Sequence, residues 1–170
     1  MNDKFKLTSN KKNGLYQIQA LKDFGSVRKG ELGGYIEKEE NLSVFGNAWV
    51  YGNAWVYGNA QVYGNAQVSG NARVSGNAWV SDDARVFDNA WVSGNAWVYG
   101  DARVYGKLKL EAGLFFGIKW KGETIQEVEI EDGNYLIYKG EAKFGVDEPD
   151  DATTQAIELL KKNGYKIVKE

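Results

Sequence analysis

The chain has 170 residues, enough for one or two small domains with a buried core. Its 23 acidic and 21 basic residues leave a net charge of −2, so it has neither the basic excess of a nucleic-acid or anionic-membrane binder nor the acidity of a DNA mimic. It contains no cysteine and no histidine, which removes disulfides, thiolate and imidazole metal ligands, a cysteine nucleophile, and the commonest general base near neutral pH.

No apolar run reaches the roughly 18 to 20 residues needed to span a bilayer, and Met1–Lys6 lacks the apolar stretch of a signal peptide. A cytoplasmic protein with no membrane partner is expected. Residues 1–40 read as a capping segment. Lys4–Thr8 and Leu15–Ala20 alternate like strands about Lys11-Lys12-Asn13-Gly14, which predicts a hairpin.

Residues 41–110 are repetitive. Valine falls at every sixth position from Val44 to Val104, and alanine sits two residues before each valine from Ala48 to Ala102. The unit is Val-x-Gly-Asn-Ala-x, as in Val50-Tyr51-Gly52-Asn53-Ala54-Trp55. Six is a multiple of the strand period of two and not of the helical 3.6, so the pattern predicts short strands with Ala and Val on one side. Gly-Asn supplies the corners, because both residues tolerate left-handed backbone. One such unit cannot bury its Ala-Val face alone, so successive units must wind into a coil. Three hexads per coil predict a triangular parallel β-helix, with residues 18 apart stacked on neighbouring coils. Asn53 and Asn71 are then expected to form part of an amide ladder. Leu42 is placed at the alanine position of a degenerate first repeat ending at Val44.

The residue between each Ala and Val points outward. Sorted by 18, these residues form three columns: Trp49, Gln67, Arg85 and Arg103; Trp55, Arg73 and Trp91; Gln61, Trp79 and Trp97. The residue after each valine adds Phe45, Tyr51, Tyr57, Tyr63, Phe87, Tyr99 and Tyr105. Trp49, Trp55, Trp79, Trp91, Trp97, Arg73, Arg85, Arg103, Tyr51 and Tyr99 are therefore the candidate binding residues, because exposed Trp, Tyr and Arg dominate interface energetics. Three roles are open to them. They can form ring and cation ladders that cover the sheet, they can build a homo-oligomer (dimer or trimer), or they can bind a distinct protein. Nucleic-acid stacking would need a basic groove, and the repeats hold only three arginines against four aspartates.

Residues 111–170 change composition. Leu108 and Leu110 still replace Ala and Val, but from Glu111 the hexad is lost and charge rises. Phe115–Lys121, Thr124–Ile130 and Asn134–Tyr138 read as strands, with a turn at Asp132-Gly133-Asn134. Pro149-Asp150-Asp151 opens a helix that Gly164 closes, and Tyr165–Val168 reads as a last strand. This small α+β domain is either a cap or a recognition domain.

Val50 with Ala54, and Val56 with Ala60, carry the spacing of an aliphatic residue followed four positions later by a small one. In this the chain resembles the hexapeptide-repeat, left-handed parallel β-helix family. The leader Leu15–Phe24 and Gly33-Gly34-Tyr35-Ile36 is similar to that of phage and prophage β-helix proteins akin to the YdcK-like group. The resemblance implies left-handed coiling and a phage-type protein acting on a bacterial host protein in the host cytoplasm. An inhibitor of a bacterial defence system, an anti-CRISPR or other anti-defence protein, fits that implication.

Acyltransferases and carbonic anhydrases of this fold use histidines, which this chain lacks. A divergent acyltransferase without the usual histidine base is the alternative function. Asp82, Asp83, Asp88 and Asp101 interrupt the Gly-Asn corners, and Asp83 and Asp101 are 18 apart. They read as turn residues before they read as a paired-carboxylate or calcium site. No catalytic residue, metal ligand or cofactor is assigned.

Overall fold

In the computed structural model, which describes residues 2–117, 125–131 and 134–139, the chain is mainly β. The leader holds β1 (Phe5–Lys12), β2 (Leu15–Ala20) and β3 (Leu32–Ile36). The repeats give seven two-residue strands: β4 (Trp49–Val50), β5 (Trp55–Val56), β6 (Gln61–Val62), β7 (Gln67–Val68), β8 (Arg73–Val74), β9 (Trp79–Val80) and β10 (Arg85–Val86). Longer strands follow: β11 (Trp91–Gly100), β12 (Arg103–Gly106), β13 (Lys109–Gly117), β14 (Ile125–Glu131) and β15 (Asn134–Lys139). The one helical element among the described residues is a 3-10 turn, Glu39–Asn41.

The repeat strands pair in parallel at a register of 18 residues, as in Trp49↔Gln67, Arg85↔Gln67 and Arg85↔Arg103. The result is a β-solenoid of about four turns, with β4, β7, β10 and β12 stacked in one column. Every alanine from Ala48 to Ala102 and every valine from Val50 to Val104 is buried. Each buried valine contributes roughly 1.5–3 kcal/mol, and alanine keeps the interior narrow enough to fill.

The corners are held twice over. Backbone amides donate to the coil three repeats on, as from Asn59 to the Gly76 carbonyl (2.8 Å). Asparagine amides add ladders: Asn47–Asn65–Asp83, Asn59–Asn77–Asn95 and Asn71–Asn89, with links of 3.0 to 3.4 Å. Asn53, expected in a ladder with Asn71, makes no such side-chain bond among the described residues, while its backbone N–H donates to the Gly70 carbonyl (3.1 Å) as at the other corners.

Two register slips correct the sequence reading. Leu42 bridges to Val62, and the Ser43 N–H donates to the Val62 carbonyl at 2.9 Å. Leu42 thus occupies a valine seat, not an alanine seat, 20 residues before its partner. The register of 18 resumes where Asn47 and Ala48 donate to the Gly64 carbonyl. Two extra residues therefore bulge at this corner, so Val44 is only half-buried and Phe45 is 80 % exposed. At the far end the parallel register does not stop at 110. Trp91↔Lys109 and Val92↔Leu110 keep the spacing of 18, and after a one-residue slip Trp97↔Leu114 and Val98↔Phe115 continue it at 17. Gly113 takes an alanine seat and Phe115 a valine seat, which the loss of hexad spacing conceals.

Open solenoid ends invite edge-to-edge aggregation and must be covered. At the first coil, β1 and β2 form a hairpin turned by Asn13 and Gly14 (φ 50° and 83°), and β3 pairs antiparallel with β2 and in parallel with β5. Where no preceding strand exists, side chains replace the missing N–H donors. The buried Lys4 Nζ donates to the Ser43 and Ala48 carbonyls (2.9 and 2.8 Å). The buried Asn41 Nδ2 donates to the Gly58 and Ala60 carbonyls (3.1 and 2.9 Å). At the last coil β15 pairs antiparallel with β12 and with β14. The helix expected from Pro149 and the strand Tyr165–Val168 lie outside the described residues.

Candidate binding surface

The solenoid presents its three outward columns in different states. The first is a correction to the sequence reading. Trp49 points outward from the coil, but the leader folds back over it and buries it completely. Phe5 and Phe24 meet its ring edge-on (centroids 6.4 and 5.3 Å). A Cβ on Gly33 would lie 2.8 Å from the Trp49 ring, so only glycine allows this approach. Tyr51 is likewise taken by the leader, its hydroxyl 3.3 Å from Ser26 Oγ. Trp49 is thus closed to a partner, and Tyr51 is half-buried. Gln67, Arg85 and Arg103 complete this column at the surface.

The second column binds its own cations. The Arg73 guanidinium lies 4.9 Å from the Trp55 ring centre and 5.6 Å from that of Trp91, and Lys109 Nζ lies 5.7 Å from Trp91. Tyr35 of β3 pairs beside Trp55 at the top. The Trp91 Nε1–H donates to Ser75 Oγ (3.3 Å), closing the adjacent corner. This is a ring-and-cation ladder, one of the three roles left open for the exterior.

The third column is different. Trp79 and Trp97 stack with centroids 4.7 Å apart and planes 3° from parallel, and Tyr63 meets Trp79 edge-on at 6.0 Å. Leu114 follows Trp97, 64 % exposed against 42 % for Trp97. Beside the stack opens a cleft of about 330 Å³ lined by Tyr63, Trp79, Ser81, Asp82, Trp97, Tyr99 and Leu114. Its cause lies in the residues that follow the valines. Tyr63, Ser81 and Tyr99 succeed each other at 18-residue steps, so a small serine separates two tyrosines on successive coils. Sequence reasoning named Trp79, Trp97 and Tyr99 as binding residues, Tyr63 only as an outward ring and Asp82 as a turn residue, and did not name Ser81 or Leu114. The Tyr-Ser-Tyr row was the available signal, whereas Leu114 was hidden by the slip to 17.

The corner aspartates are structural. Asp82 and Asp88 take positive φ (56° and 59°) where other repeats use glycine. Their Oδ2 atoms accept the N–H of Gly100 (3.1 Å) and Gly106 (3.4 Å) on the next coil. Asp83 Oδ1 accepts the Asn65 amide at 3.2 Å. Among the described residues no group of three or more aspartates or glutamates converges to hold a metal ion.

These features define a β-solenoid repeat protein with an aromatic cleft beside its third column. The family model described as YdcK Beta solenoid repeat matches residues 66–82, 78–94 and 84–100, all within the regular coils. Comparison with curated proteins found no match. No helix among the described residues is long and apolar enough to cross a membrane.

Proposed function

We propose that this chain is a non-catalytic binding protein whose coil is left-handed and which acts through protein–protein contacts of its third column. The observation that carries the reading is the stacked Trp79–Trp97 pair with exposed Leu114 beside an aromatic cleft. The first column has its tryptophan covered and the second supplies its own cations. Only large rings left in water gain substantially from desolvation by a partner. Arg85 and Arg103, on the neighbouring column, are suited to the polar rim of such a contact. With the resemblance of leader and repeats to phage proteins, the favoured partner is a bacterial host protein in the cytoplasm. The role is then interference with host defence, with self-assembly as a dimer or trimer.

The test is co-purification from bacterial cytoplasm together with the native mass of the assembly. A host protein or further copies of the chain should accompany the wild type. They should be lost in Trp79→Ala/Trp97→Ala and in Leu114→Arg, the latter touching only an exposed side chain. Undiminished capture by both variants, or turnover of an acyl-thioester in a thiol-release assay, would overturn the reading.

A further inference from the structure

The second and third columns have the same backbone and opposite cation content. In the second, every described indole has a cation on it: Arg73 lies against Trp55 and Trp91, and Lys109 against Trp91. In the third, the same seats hold Gln61, Trp79, Trp97 and Leu114, and among the described residues no lysine or arginine lines the cleft. In the second column the corner serine, Ser75, is occupied by the Trp91 indole; Ser81 in the third has no such bond. A carboxylate stands at the rim. Asp82 spends Oδ2 on the Gly100 N–H, which leaves Oδ1 without a hydrogen bond among the described residues.

We propose that this cleft receives a cationic side chain, an arginine or lysine from a basic segment of a partner protein. The inference rests on the protein-contact reading above and names the chemistry of the partner. Tyr63 and Tyr99 stand two coils apart, roughly 9.5 Å at strand spacing. A planar guanidinium in van der Waals contact with both neighbours needs roughly 7 to 8 Å. The ring faces that the cleft leaves open attract a cation, and Asp82 supplies the counter-charge. A neutral guest would gain the stacking and leave the carboxylate unpaired. An anionic guest would meet Asp82 in the lining of the cleft.

The experiment titrates the full chain with a capped hexa-arginine peptide, using hexa-citrulline as the neutral control of the same shape. Calorimetry gives affinity, and indole N–H resonances show which tryptophans respond. Expected are saturable arginine binding, at least tenfold weaker citrulline binding, and shifts at Trp79 and Trp97 but not at Trp55 or Trp91. Asp82→Asn keeps the corner conformation and an acceptor for Gly100 while removing the charge, and it should weaken binding at least fivefold. Ser81→Tyr fills the cleft with the residue found one coil above and below, and it should abolish binding. Leu114→Arg supplies an internal guanidinium beside Trp97, as Arg73 does beside Trp91, and should compete with the peptide. Equal binding of citrulline, or arginine binding that survives Ser81→Tyr or Asp82→Asn, overturns the inference. Partner capture that depends on Trp97 without arginine binding would sink it while leaving the protein-contact reading intact.

Discussion

Asp82 Oδ2 accepts the Gly100 N–H of the next coil at 3.1 Å, from a backbone position that glycine fills in most repeats. The aspartate therefore compensates for its own unfavourable positive φ by bonding across the coils. Asp82→Ala keeps the strain and loses that charge-assisted bond, at a cost of about 2–3 kcal/mol. Asp82→Gly loses the bond and the strain together and should stay within about 1 kcal/mol of wild type. Urea unfolding of the two variants tests the ordering; both lose the bond, so equal losses would show that the positive φ carries no strain.

The leader is seated by Gly33 against the first coil. A Cβ there would lie 2.6 Å from Ile18 Cγ1 and 2.6 Å from the Val50 carbonyl oxygen. Because one of these neighbours is backbone, Gly33→Ala should cost about 1–3 kcal/mol and loosen the leader. Trp49 emission should shift to the red, and residues 1–40 should be cut faster by protease. An unchanged spectrum would mean that Trp49 is not covered as described.

Lys4 is buried with two backbone carbonyls as its hydrogen-bond partners. Burial, with a smaller contribution from the Lys22 ammonium, pushes its pKa down from 10.5 to about 8. Between about pH 8 and 10.5 the unfolded chain holds this proton and the folded chain releases it, so stability rises with pH across that window. The cost of charging is fully present below about pH 8. The stability difference between wild type and Lys4→Met should therefore move in favour of wild type from pH 7.5 to 10. A flat difference across that range would rule out a depressed Lys4.

Arg73 lies between two indoles of the second column. Arg73→Ala should lower the melting temperature by an amount equivalent to about 1 kcal/mol, and Arg73→Lys should retain part of it. Partner capture should not change, because this column already supplies its own cations. If capture falls with Arg73→Ala, the second column belongs to the interface as well.

Much of the fold was legible because hexad spacing and strand parity are local properties. The Ala-Val interior, the Gly-Asn corners, the 18-residue stacking and the Asn13-Gly14 hairpin all follow from side-chain alternation and left-handed tolerance. The slips were not legible. Val44 keeps the six-residue rhythm and yet leaves the valine stack, because Leu42 and Asn41 seat first against Val62 and Ala60. Phe115 rejoins the stack out of rhythm, because a corner can lose one residue when the strands on either side still pair.

Local alternation thus determined which side chains face in and which face out, since each depends only on its neighbours in the chain. Which outward rings remain in water was decided in three dimensions. Trp49 and Trp97 have the same parity and nearly the same local sequence. One is sealed by a leader strand that starts more than 40 residues earlier, and the other is left beside a serine-floored cleft. Burial against distant segments is a property of long-range packing, and no periodicity within the repeat encodes it.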